Sequence, residues 1–148
     1  MRISAKGRYA LAAMIEIARQ TKDGEIISVI NISGTLGISK IYLEQVLSQL
    51  KKGGIINALK GSKGGYQLAR DPGTISAMDV LLTVENTLIE SAGSTVEEQA
   101  PAVEMALKEK VFQPLDRAVR VCLSGITIAD LLEYTDQQNA DQSFMMNM

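Results

Sequence analysis

The chain of 148 residues has no histidine, a single cysteine and three prolines. Without histidine it lacks the usual general base near neutral pH and the commonest metal ligand, so enzymatic readings lose most of their ground. One cysteine, Cys122, excludes a disulfide within the chain and fits a reducing compartment. No run approaches the roughly 18 apolar residues of a membrane span. Arg2, Lys6 and Arg8 fall where a signal peptide needs its apolar core, so the expectation is a soluble, cytoplasmic protein.

Hydrophobic residues make up 46% of the chain and charged residues 22%, enough for one sizeable core. The formal charge of -2 conceals an uneven distribution. Residues 1–70 hold 11 Lys or Arg against 4 Asp or Glu, a net of +7. Residues 71–148 hold 4 against 13, a net of -9. A basic half joined to an acidic one points to a polyanionic partner, although a charge run is often only a solvated face.

Apolar residues Tyr9, Ala10, Ala13, Met14, Ile17 and Ala18 recur at helical spacing and predict a first helix over 6–21, with Lys6, Arg8, Glu16, Arg19 and Gln20 elsewhere around the wheel. Ser28 caps a short second helix carrying Val29, Ile32 and Leu36, which Gly37 ends. Ser39 caps a third, with Ile38 and Leu43 placed as a hydrophobic staple. In this helix Leu43, Val46, Leu47 and Leu50 form the i, i+3, i+4, i+7 stripe of a core-facing side. The opposite side carries Lys40, Ile41, Glu44, Gln45, Ser48 and Lys51 or Lys52. Gly53-Gly54 stops the helix, and 55–59 and 66–69 read as strands joined by a glycine-rich basic tip, Lys60 to Gly65.

A helix with a hydrogen-bonding face, followed at once by a basic hairpin, is the arrangement by which a helix enters the major groove and a wing grips the neighbouring backbone. Glu44 can accept from a cytosine amino group, Gln45 can pair with an adenine edge, and Ile41 can touch a thymine methyl. Lys6, Arg8, Lys40, Lys51, Lys60 and Lys63 suit phosphates or the minor groove, where contacts position rather than specify. The competing readings are ordinary packing, or a winged-helix module for protein interaction whose basic face is incidental. Gly61, Gly64 and Gly65 do not make a phosphate loop, because they precede a strand and lack the spacing. They are read as permitting a tight turn that lets the backbone approach DNA.

Farther on, Ser76 and Asp79 form a capping box opening a fourth helix. Residues 87–100, small and polar, read as a loop or link. Leu107, Val111, Leu115, Ala118 and Cys122, with Val119 beside them, form a narrow apolar seam on a long helix over 103–124. Pro114 predicts a kink or local break near 110–114. On that seam Cys122 reads as a small buried hydrophobe rather than a redox sensor, and the seam as the contact between two copies. Thr127 and Asp130 open a short closing helix, and 136–148 is a tail with nothing to fix its structure. The expected class is mainly α with a small β-hairpin wing. Residues 1–86 are a winged helix-turn-helix, 87–100 a link, 101–135 a dimerisation helix with its short closing helix, and 136–148 the tail.

The stretches 1–10, Tyr42-Leu-Glu-Gln45 and Gly61-Ser-Lys-Gly-Gly-Tyr66-Gln-Leu-Ala-Arg70 closely resemble the Rrf2 family of bacterial winged helix-turn-helix regulators, with looser similarity through 134. The resemblance implies a homodimer whose long helices cross, each half reading half of a palindromic operator on double-stranded DNA. It assigns Ser39, Tyr42, Glu44 and Gln45 to the recognition helix contacts and Lys60 to the place of a minor-groove arginine, while Ile41 departs from a small polar residue. Cluster-binding members use three cysteines after the fourth helix, with a further histidine or acidic ligand near the N-terminus. Here 87–110 has no cysteine, the chain has no histidine, and position 8 is Arg8, so no cofactor and no metal is expected. The chain looks closer to the cluster-free branch that controls cysteine metabolism. In that branch the signal is similar to contact with a cysteine-biosynthetic enzyme.

Overall fold

Serine hydroxyls start the first three helices. Ser4 Oγ accepts from Gly7 N at 3.2 Å, Ser28 Oγ from Asn31 N at 3.2 Å and Ser39 Oγ from Tyr42 N at 3.3 Å. Each satisfies an amide that the first helical turn leaves without an intrahelical partner. In the computed structural model, which describes residues 3–85 and 93–147, these helices are α1 (Ala5–Gln20), α2 (Val29–Leu36) and α3 (Lys40–Lys52). Gly37, in the left-handed region at φ 68°, ends α2 and turns the chain into α3.

Strands β1 (Ile56–Leu59) and β2 (Gly65–Leu68) pair antiparallel, with Ile56 opposite Leu68 and Leu59 opposite Gly65. A 3-10 turn, Pro72–Thr74, leads to α4 (Ala77–Val84), where Ser76 and Asp79 complete the expected reciprocal capping box. Then follow α5 (Pro101–Leu107), a π-helical turn over Lys108–Phe112, α6 (Gln113–Ser124) and α7 (Ile128–Met146). The architecture is mainly α with a two-stranded wing, as expected. Among the described residues no helix is long and apolar enough to cross a membrane.

The core gathers Ala13, Met14 and Ile17 of α1, Ile32 of α2, the Leu43, Val46, Leu47 and Leu50 stripe of α3, and Val80 and Val84 of α4. Ile128 and Leu132 of α7 join the same core. The start of α7 is therefore fastened to the N-terminal half. Ala77 N donates to Ile126 O at 2.7 Å and Ile128 N to Ile75 O at 2.8 Å, so the two capping boxes lie side by side. Lys22 Nζ also meets Asp136 at 3.0 Å.

Several expectations need correction. The closing helix is not short and 136–147 is not an unfixed tail, because α7 runs 19 residues to Met146. Its N-terminus is capped and docked, and nothing from 128 to 146 is proline or glycine, so the helix continues without needing an apolar stripe. Met148 lies outside the described residues. The kink or local break expected near 110–114 takes the form of an interruption between α5 and α6 in which the chain stays helical. The helix widens into the π turn just before Pro114, where Gln113 N donates to Lys108 O, a register one residue wider than α.

Glu16, expected on the polar side of α1, is buried, and its carboxylate takes Arg19 Nη2 at 2.7 Å, Arg19 Nε at 3.1 Å and Gln20 Nε2 at 3.1 Å. The link expected over 87–100 is irregular from Gly93 on, and 87–92 lie outside the described residues. That segment is anchored. Buried Glu104 accepts from Thr95 N at 3.1 Å and Val96 N at 2.9 Å.

Candidate nucleic-acid interface

Helix α3 has two faces of opposite character. Leu43, Val46, Leu47 and Leu50 are fully buried, whereas Lys40, Ile41, Glu44, Gln45, Ser48, Lys51 and Lys52 are exposed. Burial of the apolar stripe fixes the helix about its own axis, so the polar face must look outward. At its start, the rings of Tyr9 and Tyr42 meet edge to face with centroids 5.4 Å apart, which sets the first half of α1 beside the first turn of α3. Exposed Arg8 and half-buried Lys6 belong to that part of α1.

Tyr42 is half-buried against the core, so packing is its observed task. Ser39 likewise spends one lone pair on the helix cap while its hydroxyl proton remains available.

Lys40 and Glu44 lie 3.8 Å apart across one turn, both about half exposed. Such a pair contributes only about 0.3–0.5 kcal/mol, so a phosphate can draw Lys40 away and leave Glu44 free to accept from a base. The charge of Glu44 also reaches Tyr66 of the wing. Burial first, and then the negative charge of Glu44, raise the Tyr66 phenol above its ordinary range. Lys60 and Lys63 are exposed at the hairpin tip. Lys51, eleven residues beyond Lys40, is about 16 Å farther along the helix axis, so the structure does not bring it to the reading end.

One element escaped the sequence. Ile27 pairs with Tyr66 as a one-residue third strand, with Ile27 N donating to Tyr66 O at 2.9 Å and Tyr66 N to Ile27 O at 2.8 Å. It ties the wing to the chain just before α2. The adjacent β-branched pair Ile26-Ile27, between the Gly24 turn and the Ser28 cap, was the available signal.

This pairing also revises the glycines. A Cβ on Gly65 would lie 2.6 Å from Ile27 O and one on Gly64 2.5 Å from Leu59 O, so Gly65 is bare to let the wing meet Ile27 and Gly64 to let the hairpin close. Gly61, at φ 119°, serves the tight turn.

The seam residues lie away from the chain's own core. Val111 and Leu115 are about half exposed, Leu107 and Val119 half-buried, and Ala118 and Cys122 exposed. Cys122, expected as a small buried hydrophobe, is exposed in the single chain, because α6 turns this side outward and has no buried residue. The same helix packs beside α4.

The family model that matches residues 3–134 is Rrf2, described as an iron-dependent transcriptional regulator. The chain is 34% identical to the HTH-type transcriptional regulator CymR of Bacillus subtilis, over 97% of this chain and 99% of that protein. It is 33% identical to the HTH-type transcriptional regulator IscR of Yersinia enterocolitica, over 95% and 88%. A solved structure titled as CymR, the global cysteine regulator of B. subtilis, superposes with a TM-score of 0.75 at 33% identity, covering 90% of this chain and 98% of that one.

Iron held through cysteine or histidine does not fit the donors present. The sequence supplies one cysteine and no histidine, and among the described residues no three His, Cys, Asp or Glu side chains gather as metal ligands. The relatives are regulators rather than enzymes, and the fold, the helix with its outward polar face and the family match agree. The chain belongs to the Rrf2 family of DNA-binding transcriptional regulators.

Proposed function

We propose that the protein is a cluster-free repressor that binds a palindromic operator as a homodimer, with α3 in the major groove and the Lys60–Lys63 wing tip on the adjacent backbone. The observation that carries this reading is the outward row of Glu44, Gln45 and their lysine neighbours, held in one orientation by a fully buried apolar stripe. Ser39, Lys40, Tyr42, Glu44 and Gln45 form the reading end, and Lys6, Arg8, Lys51, Lys60 and Lys63 neutralise phosphates. The seam from Leu107 to Cys122, largely exposed among the described residues, supports the two-fold contact.

Control of cysteine or sulfur metabolism is supported by the likeness to CymR, the global cysteine regulator of B. subtilis. A cysteine-biosynthetic enzyme is the matching regulatory partner.

Titration of operator-length duplexes against salt tests the central step. Affinity should fall steeply, by roughly 0.9 in log K per log salt for each phosphate neutralised. Affinity that stayed flat between low and physiological salt would reject DNA binding through the basic face and favour a protein-interaction module.

A further inference from the structure

The outward face of α3 is itself a stripe. Ile41, Glu44, Gln45 and Ser48 stand at i, i+3, i+4 and i+7, all exposed, as the counterpart of the buried Leu43, Val46, Leu47 and Leu50. Three of its four members offer hydrogen-bonding groups, and the fourth is an isoleucine left 74% exposed. A single exposed aliphatic residue is ordinary on a protein surface. Its place is not ordinary here. It is the second residue of the helix, in the turn that reaches deepest toward base edges when a recognition helix docks. In the major groove the apolar group presented to such a side chain is the C5-methyl of a pyrimidine.

We propose that Ile41 is a specificity-determining residue that packs on a thymine methyl. The assignment rests on the DNA-binding reading above and deepens it by naming one group that the face recognises. Glu44 and Gln45 then read hydrogen-bonding patterns while Ile41 reads shape and hydrophobicity at the neighbouring step. The C5-methyl of 5-methylcytosine occupies the same place on the ring, so the test separates the two sources.

Duplexes enriched from a random library by the full chain are resynthesised with each thymine in turn replaced by deoxyuridine, which deletes only the methyl. Binding is read by fluorescence anisotropy at one salt concentration. With the wild-type protein, one thymine per half-site should show a loss of about fourfold, the worth of one buried methyl or methylene group. Ile41→Ala, which changes an exposed position and should melt like wild type, should bind the thymine and deoxyuridine duplexes equally, and Ile41→Val should keep most of the difference.

If every thymine tolerates demethylation, or Ile41→Ala still distinguishes the two duplexes, the assignment to Ile41 is overturned while DNA binding stands. A methyl effect confined to 5-methylcytosine duplexes would overturn the choice of thymine. Failure to enrich any duplex would overturn the DNA-binding reading and this proposal together.

Discussion

Gln45 and Lys63 are both exposed in the basic half, yet they offer DNA different things. A glutamine amide presents a donor and an acceptor at fixed separation, which matches the N6 and N7 edge of adenine. A lysine ammonium is a mobile point charge that any phosphate satisfies. Gln45→Ala should therefore relax sequence preference and cost about 1–3 kcal/mol at one base pair, whereas Lys63→Ala should weaken all duplexes alike and flatten the salt slope by about one. Competition binding with operator and scrambled DNA separates the outcomes, and equal losses on both for Gln45→Ala would reject its role. Residues of this kind were legible because the helical period states which side of α3 is buried. Glu16 was not, since its burial depends on Arg19 and Gln20 folding back over it, a matter of side-chain conformation that spacing does not encode.

At the scale of elements, the segment before α5 is held by one carboxylate. Hydrogen bonds from Val96 N and then Thr95 N keep the Glu104 carboxyl below the ordinary carboxylate range. A group whose value is lowered by folding stabilises fully above its unfolded value, and that contribution disappears as pH falls through the lowered one. Protection of the Thr95 and Val96 amides against hydrogen exchange should thus be greatest near neutral pH and decline in acid, and Glu104→Gln should lower it at neutral pH. Protection factors unchanged by both acid and substitution would show that something else anchors the segment. The carboxylate anchor left no periodic trace for the sequence to reveal. Helices α1 to α4 were legible to within a residue or two, since caps, glycines and apolar stripes agreed. The length of α7 was not, because its polar second half lacks a stripe and the absence of helix breakers is a weaker signal than the presence of a pattern.

For the whole molecule, the question is why a helix as apolar on one side as α6 should leave that side outward, with no residue fully buried. Val111, Leu115 and Val121 would expose aliphatic surface along several turns of an isolated chain, against the hydrophobic preference of roughly 25 cal/mol per Å². The proposed second copy would remove that surface from water and, by two-fold symmetry, double every contact. In the proposed dimer the symmetry would present two basic halves to one duplex and leave the acidic halves at the dimer contact. Leu115, 52% exposed in the single chain, can be replaced without disturbing the chain's own core. Leu115→Asp would place one negative charge from each copy in the proposed contact and give up about 0.8–1.5 kcal/mol of burial for each leucine, half the worth of a full one. Sedimentation should then show monomers with an unchanged circular-dichroism spectrum, and operator affinity should fall toward that of a single half-site. A variant that still sediments as a dimer would place the contact elsewhere than the Leu107–Cys122 seam.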